Sequence, residues 1–408
     1  QRRRTSPQIT FSRPYMGKNS DTNAHNTATS SPETTDAFAD VQSVFIELTS
    51  RCNMNCRFCP YPVLKREKKD MPHEYVLKIL EELKGRKKDV TFHVLGEPLL
   101  NRHFFEYAQL CDKNGINYWL VTNGLGLTPM VLEKLFSLKN LQNVEISFHT
   151  MTEETFALRG CDISFDKYLG RIRDAVFCQK RLESDVKINI DVMYDTHLLH
   201  GTLWKNFSIE RWRGFTQLMA SWSEELQTVY PLARSRWPRF YEGKKKIFCR
   251  HDHYLYRRFS DIPGDLFDAL PPNITWIRWE IFPNVFITLK KFFFFTKNKD
   301  YLRHALDGGL AGVTPAHAFN CGWPCHLVIL SNGDISFCCL DYEGELSCGN
   351  IESMTLAEAV QSDKRRLLMS KPDAFALCRE CKGEISLEDF SETKFQALDG
   401  PSSTITHK

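Results

Sequence analysis

The sequence lacks the features that place a protein in a membrane or on a nucleic acid. No uninterrupted apolar run approaches the roughly 18–20 residues that a membrane-spanning helix needs. Residues 1–40 contain no apolar core of the signal-peptide type, and their Ser, Thr, Asn and Asp content predicts a flexible tail. The formal net charge of +3 leaves no excess of either sign for a polyanionic partner. We therefore expect a cytoplasmic, globular protein that binds neither membrane nor nucleic acid.

Cysteine, in contrast, is abundant. Fourteen cysteines are many for a chain without an export signal. In a reducing compartment, cysteines at motif spacing are more often metal ligands than disulfide partners. Three of them lie between Cys52 and Cys59, and seven lie between Cys321 and Cys381. This distribution predicts two metal-binding segments, one near each end of the chain.

Between these segments, residues 44–194 alternate between β-prone and helix-like runs. Five short apolar runs predict strands: Val44–Leu48, Val90–Leu95, Tyr118–Thr122, Val144–Phe148 and Ile188–Met193. A helix is predicted after Pro72, with one apolar face made of Val76, Ile79, Leu80 and Leu83. Repeated βα units imply a parallel sheet, either doubly wound or curled into a full or partial barrel. In such barrels the site lies on loops after the carboxyl ends of the strands.

Residues 201–310 carry weaker signals, and we assign them to the end of the barrel with an insertion. We predict a helix over Gly214–Leu226 and a sixth strand over Thr275–Ile281. The run Phe292–Phe295 is interpreted as a buried strand or helix edge rather than as a membrane-surface patch. One further group is interpreted as polar surface rather than as a metal site: Cys249, His251 and His253.

The first cysteine group follows the first predicted strand and has the spacing CxxxCxxC, with Cys52, Cys56 and Cys59. Three thiolates on one tight loop can bind three irons of a [4Fe–4S] cube and leave the fourth iron without a protein ligand. Chemistry can occur at that open iron, as it does at the open position of a catalytic zinc. A zinc site is the alternative, but zinc favours paired CxxC knuckles and four ligands. The spacing favours the iron–sulfur cluster.

The spacing and three later motifs together resemble the radical SAM (S-adenosylmethionine) superfamily. Each later motif ends a predicted strand: Gly96-Glu97-Pro98, Thr122-Asn123-Gly124, and Ser147. The first is similar to the family's Gly-Gly-Glu-Pro motif, which contacts the amino group of SAM, although Leu95 replaces the first glycine. Phe58 takes the aromatic position whose backbone commonly meets the adenine. The resemblance implies SAM-binding roles for these residues: Phe58, Gly96, Glu97, Thr122, Asn123 and Ser147.

The resemblance also implies a fold and a chemistry. The expected fold class is α/β, a partial (β/α)6 TIM-like barrel with a small Cys-rich C-terminal module of a β-hairpin and helix. The expected chemistry is reductive cleavage of SAM by the cluster, which gives methionine and a 5′-deoxyadenosyl radical. That radical abstracts a hydrogen atom from the substrate, while the protein positions the substrate and excludes water and oxygen. Flavodoxin or ferredoxin is the expected electron donor.

The second cysteine group lies around a predicted hairpin. Asn332-Gly333-Asp334 between alternating segments indicates a β-hairpin that returns Cys338 towards Cys321, and a helical stretch over Thr355–Met369 leads to a CxxC knuckle. The group resembles the opening of the SPASM domain, in its shortened single-cluster "twitch" version. The resemblance implies a four-thiolate auxiliary [4Fe–4S] site with these ligands: Cys321, Cys338, Cys378 and Cys381. Zinc at this site, and Cys339 in place of Cys338, stay open.

These assignments divide the chain into five predicted segments. They are a tail (1–40), a radical SAM core barrel (41–200), the end of the barrel with an insertion or linker (201–310), an auxiliary-cluster domain (315–395) and a second tail (396–408).

Four functions are compatible with this reading. The leading one is an oxidoreductase in which a substrate radical passes its second electron to the auxiliary cluster, so that a small molecule such as a sugar or aminocyclitol is dehydrogenated. A peptide maturase, installing crosslinks or epimerising residues, is the second. A redox-neutral epimerase, the third, would need a spare thiol such as Cys161, Cys178 or Cys249 to return a hydrogen atom. A non-catalytic metal-binding scaffold has no need of the SAM-contact motifs and is disfavoured.

Overall fold

The computed structural model describes residues 37–194, 209–231, 253–255, 276–291 and 325–381. Within them, ten strands form one sheet. In chain order they are β1 (Ser43–Ile46), β2 (Asp89–Phe92), β3 (Tyr118–Thr122), β4 (Leu141–His149), β5 (Lys187–Tyr194), β6 (His253–Leu255), β7 (Trp276–Phe282), β8 (Val285–Lys291), β9 (His326–Ile329) and β10 (Ile335–Ser336). Their order across the sheet is β10-β9-β1-β2-β3-β4-β5-β8-β7-β6.

The middle of this sheet is parallel. Seven neighbouring strands run parallel to one another, in the order β9-β1-β2-β3-β4-β5-β8. At the two ends of this group, β10 runs antiparallel to β9 and β7 runs antiparallel to β8. All five strands predicted between residues 44 and 194 are present, and β3 has the predicted bounds. The predicted α/β class, with a mostly parallel sheet of the partial TIM-barrel type, is confirmed.

Helices follow the parallel strands, as βα units require. They are α1 (His73–Leu83), α2 (Phe104–Asn114), α3 (Pro129–Phe136), α4 (Glu153–Phe156), α5 (Phe165–Arg181), α6 (Ile209–Val229), α7 (Leu356–Val360), α8 (Asp363–Ser370) and α9 (Ala376–Cys381). Helix α1 begins after Pro72, and all four of its predicted apolar-face residues are buried. None of the described helices is long and apolar enough to cross a membrane.

Alternation along the strands gives the sheet an apolar face and an opposite, polar face, although the polar face also carries apolar residues such as Trp119 and Phe286. A Cβ on Gly124 would lie 3.3 Å from the side chain of Ile146 on β4, and 3.2 and 3.0 Å from those of Tyr168 and Ile172 on α5. The Ile146 face of the sheet therefore meets the helices. The residues between the apolar ones point to the opposite face, because successive side chains in a strand alternate. On the central strands that face carries these polar residues: Thr91, Asn143, Glu145, Ser147, Asn189, Asp191 and Thr288.

Two sequence predictions need correction. The predicted sixth strand over Thr275–Ile281 forms as β7, but β8 is the strand that lies parallel beside β5, and β7 returns antiparallel to it. The predicted helix over Thr355–Met369 is two helices, α7 and α8. It breaks because the Ser362 side chain accepts a hydrogen bond from the backbone N–H of Arg365 and so starts a new helix.

Several other predictions concern residues outside the described ranges. They are residues 1–36 of the first tail, the second tail, the run Phe292–Phe295, the residues Cys249 and His251, and the side chain of His253. Residues 37–40 of the first predicted tail are described, and the prediction of a flexible tail is wrong there because the Phe38 side chain is buried in the core. The helix predicted over Gly214–Leu226 is present within α6.

The predicted C-terminal hairpin is formed, and it joins the main sheet. Strands β9 and β10 are antiparallel, and Gly333 adopts a φ of 91° in the turn between them. Strand β9 pairs with β1 over four residues on its other edge. The hairpin therefore extends the sheet next to the strand that leads into the first cysteine loop.

Candidate active site at the carboxyl edge of the sheet

The first three cysteines occupy a single loop directly after β1. The thiol of Cys56 is buried, and those of Cys52 and Cys59 are half-buried. The loop turns tightly, since the N–H of Cys59 donates to the carbonyl of Cys56 at 3.1 Å. The N–H of Tyr61 also donates to the Cys59 Sγ at 3.5 Å. A tight loop of this kind lets three thiols converge on one metal cluster.

Burial raises the pKa of each of these thiols. The pKa of Cys52 rises to about 11, and those of Cys56 and Cys59 rise for the same reason. At neutral pH the thiols of the metal-free protein therefore carry protons. Metal binding has to displace those protons, because the thiolate is the ligand.

The segment after β2 packs against the start of the cysteine loop. The N–H of Glu97 donates to the carbonyl of Arg51 at 2.8 Å. A Cβ on Gly96 would lie 2.0 Å from the carbonyl oxygen of Thr49, a distance that no side chain can occupy. Gly96 is therefore required here for the close approach of two backbone segments. The sequence placed it in a SAM-binding motif, and the structure shows what its missing side chain permits.

The Glu97 carboxylate joins the ends of β2 and β3. It accepts hydrogen bonds from the Thr122 hydroxyl at 2.8 Å, the N–H of Asn123 at 2.6 Å and the N–H of Leu99 at 3.1 Å. Burial raises the pKa of Glu97 to about 6, and these hydrogen bonds oppose that rise. The predicted SAM-contact residues Glu97 and Thr122 thus lie in direct contact.

Asn123 connects this cluster to the cysteine loop. Its side-chain amide donates to the side-chain Oδ1 of Asn53 at 2.7 Å and lies 3.6 Å from the Cys52 Sγ. Its own backbone carbonyl accepts from the buried hydroxyl of Tyr168 at 2.8 Å. The ends of β1, β2 and β3 are therefore held at one place, as the motif order implied.

Phe58 and Ser147 lie at the same edge with different surroundings. The Phe58 side chain is buried, with its ring 5.8 Å from that of His149, so the backbone of this residue is the part that can face a cofactor. Ser147, at the end of β4, is half-buried, and its carbonyl accepts from Arg159 at 2.5 Å. Sequence reasoning missed Arg159, which had no motif to distinguish it.

The second cysteine group is described in part. Cys338 follows β10, with Cys339 beside it, and Cys378 lies in α9; all three are half-buried. Cys321 and the side chain of Cys381 are outside the described residues. The four-thiolate ligand set, and the choice between Cys338 and Cys339, therefore stay predictions.

The residues at the carboxyl edge fit a cluster with SAM. Three thiols share one loop, and the buried carboxylate of Glu97 lies beside them. The buried guanidinium of Arg159 contacts the Met54 side chain of the same loop. Soft thiolates suit iron–sulfur clusters, and a carboxylate suits the amino group of SAM. Cys52, Cys56 and Cys59 are the residues that would hold the cluster.

Comparison with known proteins identifies the class. Residues 46–196 match the radical SAM superfamily, and residues 321–382 match the SPASM family, an iron-sulfur cluster-binding domain. The chain therefore contains a radical SAM domain followed by a SPASM domain, and these domains support a SAM-dependent iron–sulfur enzyme. Its first domain implies a [4Fe–4S] cluster with SAM, and its second implies auxiliary iron–sulfur clusters.

Particular relatives share parts of the sequence. A "tungsten-containing aldehyde ferredoxin oxidoreductase cofactor-modifying protein" of Pyrococcus furiosus is 32% identical over 97 residues, covering 23% of this chain and 27% of the relative. An "AdoMet-dependent heme synthase" of Methanosarcina barkeri is 29% identical over 133 residues, covering 31% of this chain and 36% of the relative. The chain thus spans well under half of the length of these curated relatives.

Two solved structures are similar in fold. BtrN in complex with AdoMet and 2-DOIA is 16% identical with a TM-score of 0.41, covering 84% of this chain and 92% of that one. Streptococcus suis SuiB bound to precursor peptide SuiA is 13% identical with a TM-score of 0.48, covering 85% of this chain and 72% of that one.

The raised pKa of Glu97 predicts pH-dependent SAM binding. A carboxylate attracts the SAM ammonium group only when it is ionised, and Glu97 is half-protonated at a pH of about 6. The affinity for SAM should be constant above pH 7. Below the pKa of Glu97, the affinity should decrease with a slope that approaches roughly tenfold per pH unit. Titration of SAM into the anaerobic protein between pH 5.5 and 7.5 measures this. The Glu97→Gln variant should bind more weakly and lose the pH dependence; an unchanged profile in that variant would contradict the assignment.

Proposed function

We propose that this enzyme is an oxidoreductase that dehydrogenates a polar small molecule, such as a sugar or aminocyclitol. The iron–sulfur domain at residues 321–382 would accept the second electron from the substrate. This proposal includes the SAM-contact roles, the ligand sets and the five segment boundaries given above. It also includes a flavodoxin or ferredoxin as electron donor and a cytoplasmic location.

One observation carries the proposal: the second iron–sulfur domain begins on the same sheet as the first cysteine loop. Strand β9 pairs with β1, and Cys338 follows directly after the β9–β10 hairpin. A buried ion pair fixes this junction. Arg66 binds the Glu47 carboxylate at 2.6 Å and the Ser331 hydroxyl at 2.9 Å. An electron acceptor built on this hairpin would keep a fixed position relative to the SAM site.

The polar face of the sheet supports the choice of substrate class. Asn143 and Asn189 lie on this face, both buried, and the side-chain Nδ2 of Asn189 donates to the side-chain Oδ1 of Asn143 at 2.9 Å. That bond leaves the Asn143 Nδ2 and the Asn189 Oδ1 without hydrogen-bond partners in the described part of the chain. Buried polar groups usually have partners, so these two atoms would be satisfied by a bound group that offers both an acceptor and a donor. Hydroxyl and amino groups offer both.

The chain's own residues would hold and orient the reactants. When bound, SAM and its cluster supply the one-electron chemistry that removes a hydrogen atom from the substrate. Glu97 would attract the amino group of SAM, and Asn123 would fix the cysteine loop against it. The polar face of the sheet would orient the polar substrate and keep bulk water away.

Product analysis tests the proposal. The anaerobic enzyme with dithionite and SAM is incubated with aminocyclitols and hexoses, with synthetic peptides as the comparison. We expect 5′-deoxyadenosine together with a product oxidised by two electrons, in equal amounts. A product that keeps its oxidation state and gains one deuterium in deuterium oxide would show an epimerase instead. Turnover of peptides alone would show a maturase.

Removing the auxiliary site gives a further prediction. A Cys338→Ala/Cys378→Ala variant should still form 5′-deoxyadenosine, because the first cysteine loop is intact. It should lose the oxidised product, since the second electron has no acceptor. Cys111→Ala, at a buried cysteine of α2, is the matched control and should keep both products. Full formation of oxidised product by the double variant would contradict the role of the second domain.

A further inference from the structure

Arg159 is a buried cation beside the first cysteine loop. It ends the 3-10 turn Ala157–Arg159, between β4 and α5, and only 1% of its surface is exposed. Burying a guanidinium is costly unless charged or hydrogen-bonding partners compensate it. The partners of Arg159 therefore show what this position requires.

Those partners satisfy one side of the guanidinium only. The Nη1 group donates to the carbonyls of Ser147 at 2.5 Å and Phe148 at 2.8 Å. The Nε and Nη2 groups meet the Met54 Sδ at 3.3 and 2.9 Å, and a thioether is a weak acceptor. In the described ranges no carboxylate forms an ion pair with Arg159.

The side with weak acceptors faces the cysteine loop. Met54 lies between Cys52 and Cys56 in the sequence. The aromatic rings of Phe58 and Tyr168 surround the guanidinium at 5.8 and 5.9 Å. In this apolar setting a negative charge on the loop would interact strongly with the cation.

The backbone of the same turn braces the loop. The N–H of Asn55 donates to the carbonyls of Arg159 and Gly160, each at 3.1 Å, and the N–H of Arg57 donates to that of Leu158 at 2.8 Å. A Cβ on Gly160 would lie 2.7 Å from the Asn55 carbonyl oxygen. The turn and the loop are thus packed backbone to backbone, which fixes where the charge of Arg159 lies.

We infer that Arg159 is the counter-charge of the radical SAM cluster, a positioning residue that holds the anionic cluster in its loop and raises its reduction potential. The cluster gains one negative charge when it accepts an electron, and a fixed neighbouring cation favours that reduced form. The inference rests on the cysteine ligand set within the proposed function and does not depend on the substrate. A failure of the dehydrogenase proposal would leave it intact.

A redox titration without SAM tests the inference. Dithionite supplies one electron per cluster. The EPR signal of the first cluster is identified as the signal that is absent from a Cys52→Ala/Cys56→Ala/Cys59→Ala variant. Arg159→Gln should shift the midpoint potential of that signal to more negative values. Arg159→Lys keeps the charge and should shift it less. Arg365→Gln is the control, because Arg365 is 4% exposed but pairs with Asp40 at 3.0 Å. An unchanged potential in Arg159→Gln would overturn the inference.

Unfolding measurements cover the case in which Arg159→Gln binds too little iron to titrate. The loss of stability on Arg159→Gln is measured in the cluster-loaded and in the metal-free protein, and the same pair is measured for Arg365→Gln. If Arg159 neutralises the cluster, its replacement should cost more in the loaded protein than in the metal-free one. Equal losses in the two forms would assign Arg159 a structural role alone and overturn the inference.

Discussion

A Gly96→Ala enzyme is expected to lose its first iron–sulfur cluster and much of its stability. The added methyl group would lie 2.0 Å from the Thr49 carbonyl oxygen and 2.8 Å from that of Arg51. Both are backbone atoms in the segment leading to Cys52, so no side-chain rotation relieves the overlap. Overpacking of this kind costs about 3 kcal/mol or more. The alternative, a shift of the backbone, would move the cysteine loop away from Glu97.

The measurements are iron content after anaerobic reconstitution and the urea midpoint of unfolding. Gly170→Ala is the matched control. Gly170 lies inside α5, and a methyl group there would have no heavy atom within 4 Å. That variant should keep its iron and gain about 0.5–1 kcal/mol, because alanine is the better helix former. Normal iron content and stability in Gly96→Ala would show that the two segments are not packed as described.

The second large effect is expected at Glu47, which holds the junction of the two iron–sulfur domains. Glu47 is 1% exposed and pairs with the nearly buried Arg66. It also accepts from the N–H of Ser331, next to β9, at 2.8 Å. Glu47→Leu should cost about 3–5 kcal/mol, because it leaves the Arg66 charge buried without its partner.

A double variant separates the lost ion pair from general disruption. Glu47→Leu/Arg66→Met removes both charges and keeps apolar volume, so it should be more stable than Glu47→Leu alone. Urea unfolding of the anaerobic protein gives both values. Arg51→Met is the control for a solvent-accessible pair, because the Arg51 and Asp70 side chains are 49% and 33% exposed. It should change stability by less than about 1 kcal/mol. A double variant as unstable as the single one would contradict the role of the charge.

Local sequence patterns were sufficient to predict most of the strands and the proximity of the motifs at one edge of the sheet. The strand at Tyr118–Thr122 is apolar and ends at polar residues, so its bounds follow from the sequence. Glu97 lies on the loop after β2, and Thr122 and Asn123 lie at the end of the neighbouring parallel strand β3. The carboxyl ends of such strands lie at one edge of the sheet. Their contacts therefore follow from the order of the motifs alone.

Local sequence patterns could not predict which strands pair when they are far apart in the sequence. The segments Trp276–Phe282 and Val285–Lys291 are both β-prone, and nothing local shows which of them lies beside β5. The hairpin at Gly333 was foreseen, whereas its pairing with β1 depends on residues about 280 positions apart, as in the contact of Ser331 with Glu47.

Charged residues with a buried role were also missed. Arg159 and Arg66 have no motif, and in sequence each looks like one of many solvated basic residues. Their roles appear only when the turn after β4 closes on the cysteine loop and when the hairpin joins β1. Burial of a charge is a tertiary property, so local composition does not reveal it.

We propose that this chain holds two separate iron–sulfur sites, one of them open to SAM. The most direct test is the iron and sulfide content of the anaerobically reconstituted protein, beside the Cys52→Ala/Cys56→Ala/Cys59→Ala variant. We predict about eight irons in the wild type and about four in the variant, which would keep the spectrum of a four-thiolate [4Fe–4S] cluster. A variant that holds no iron, with zinc in its second site, would contradict the claim and remove the proposed electron acceptor.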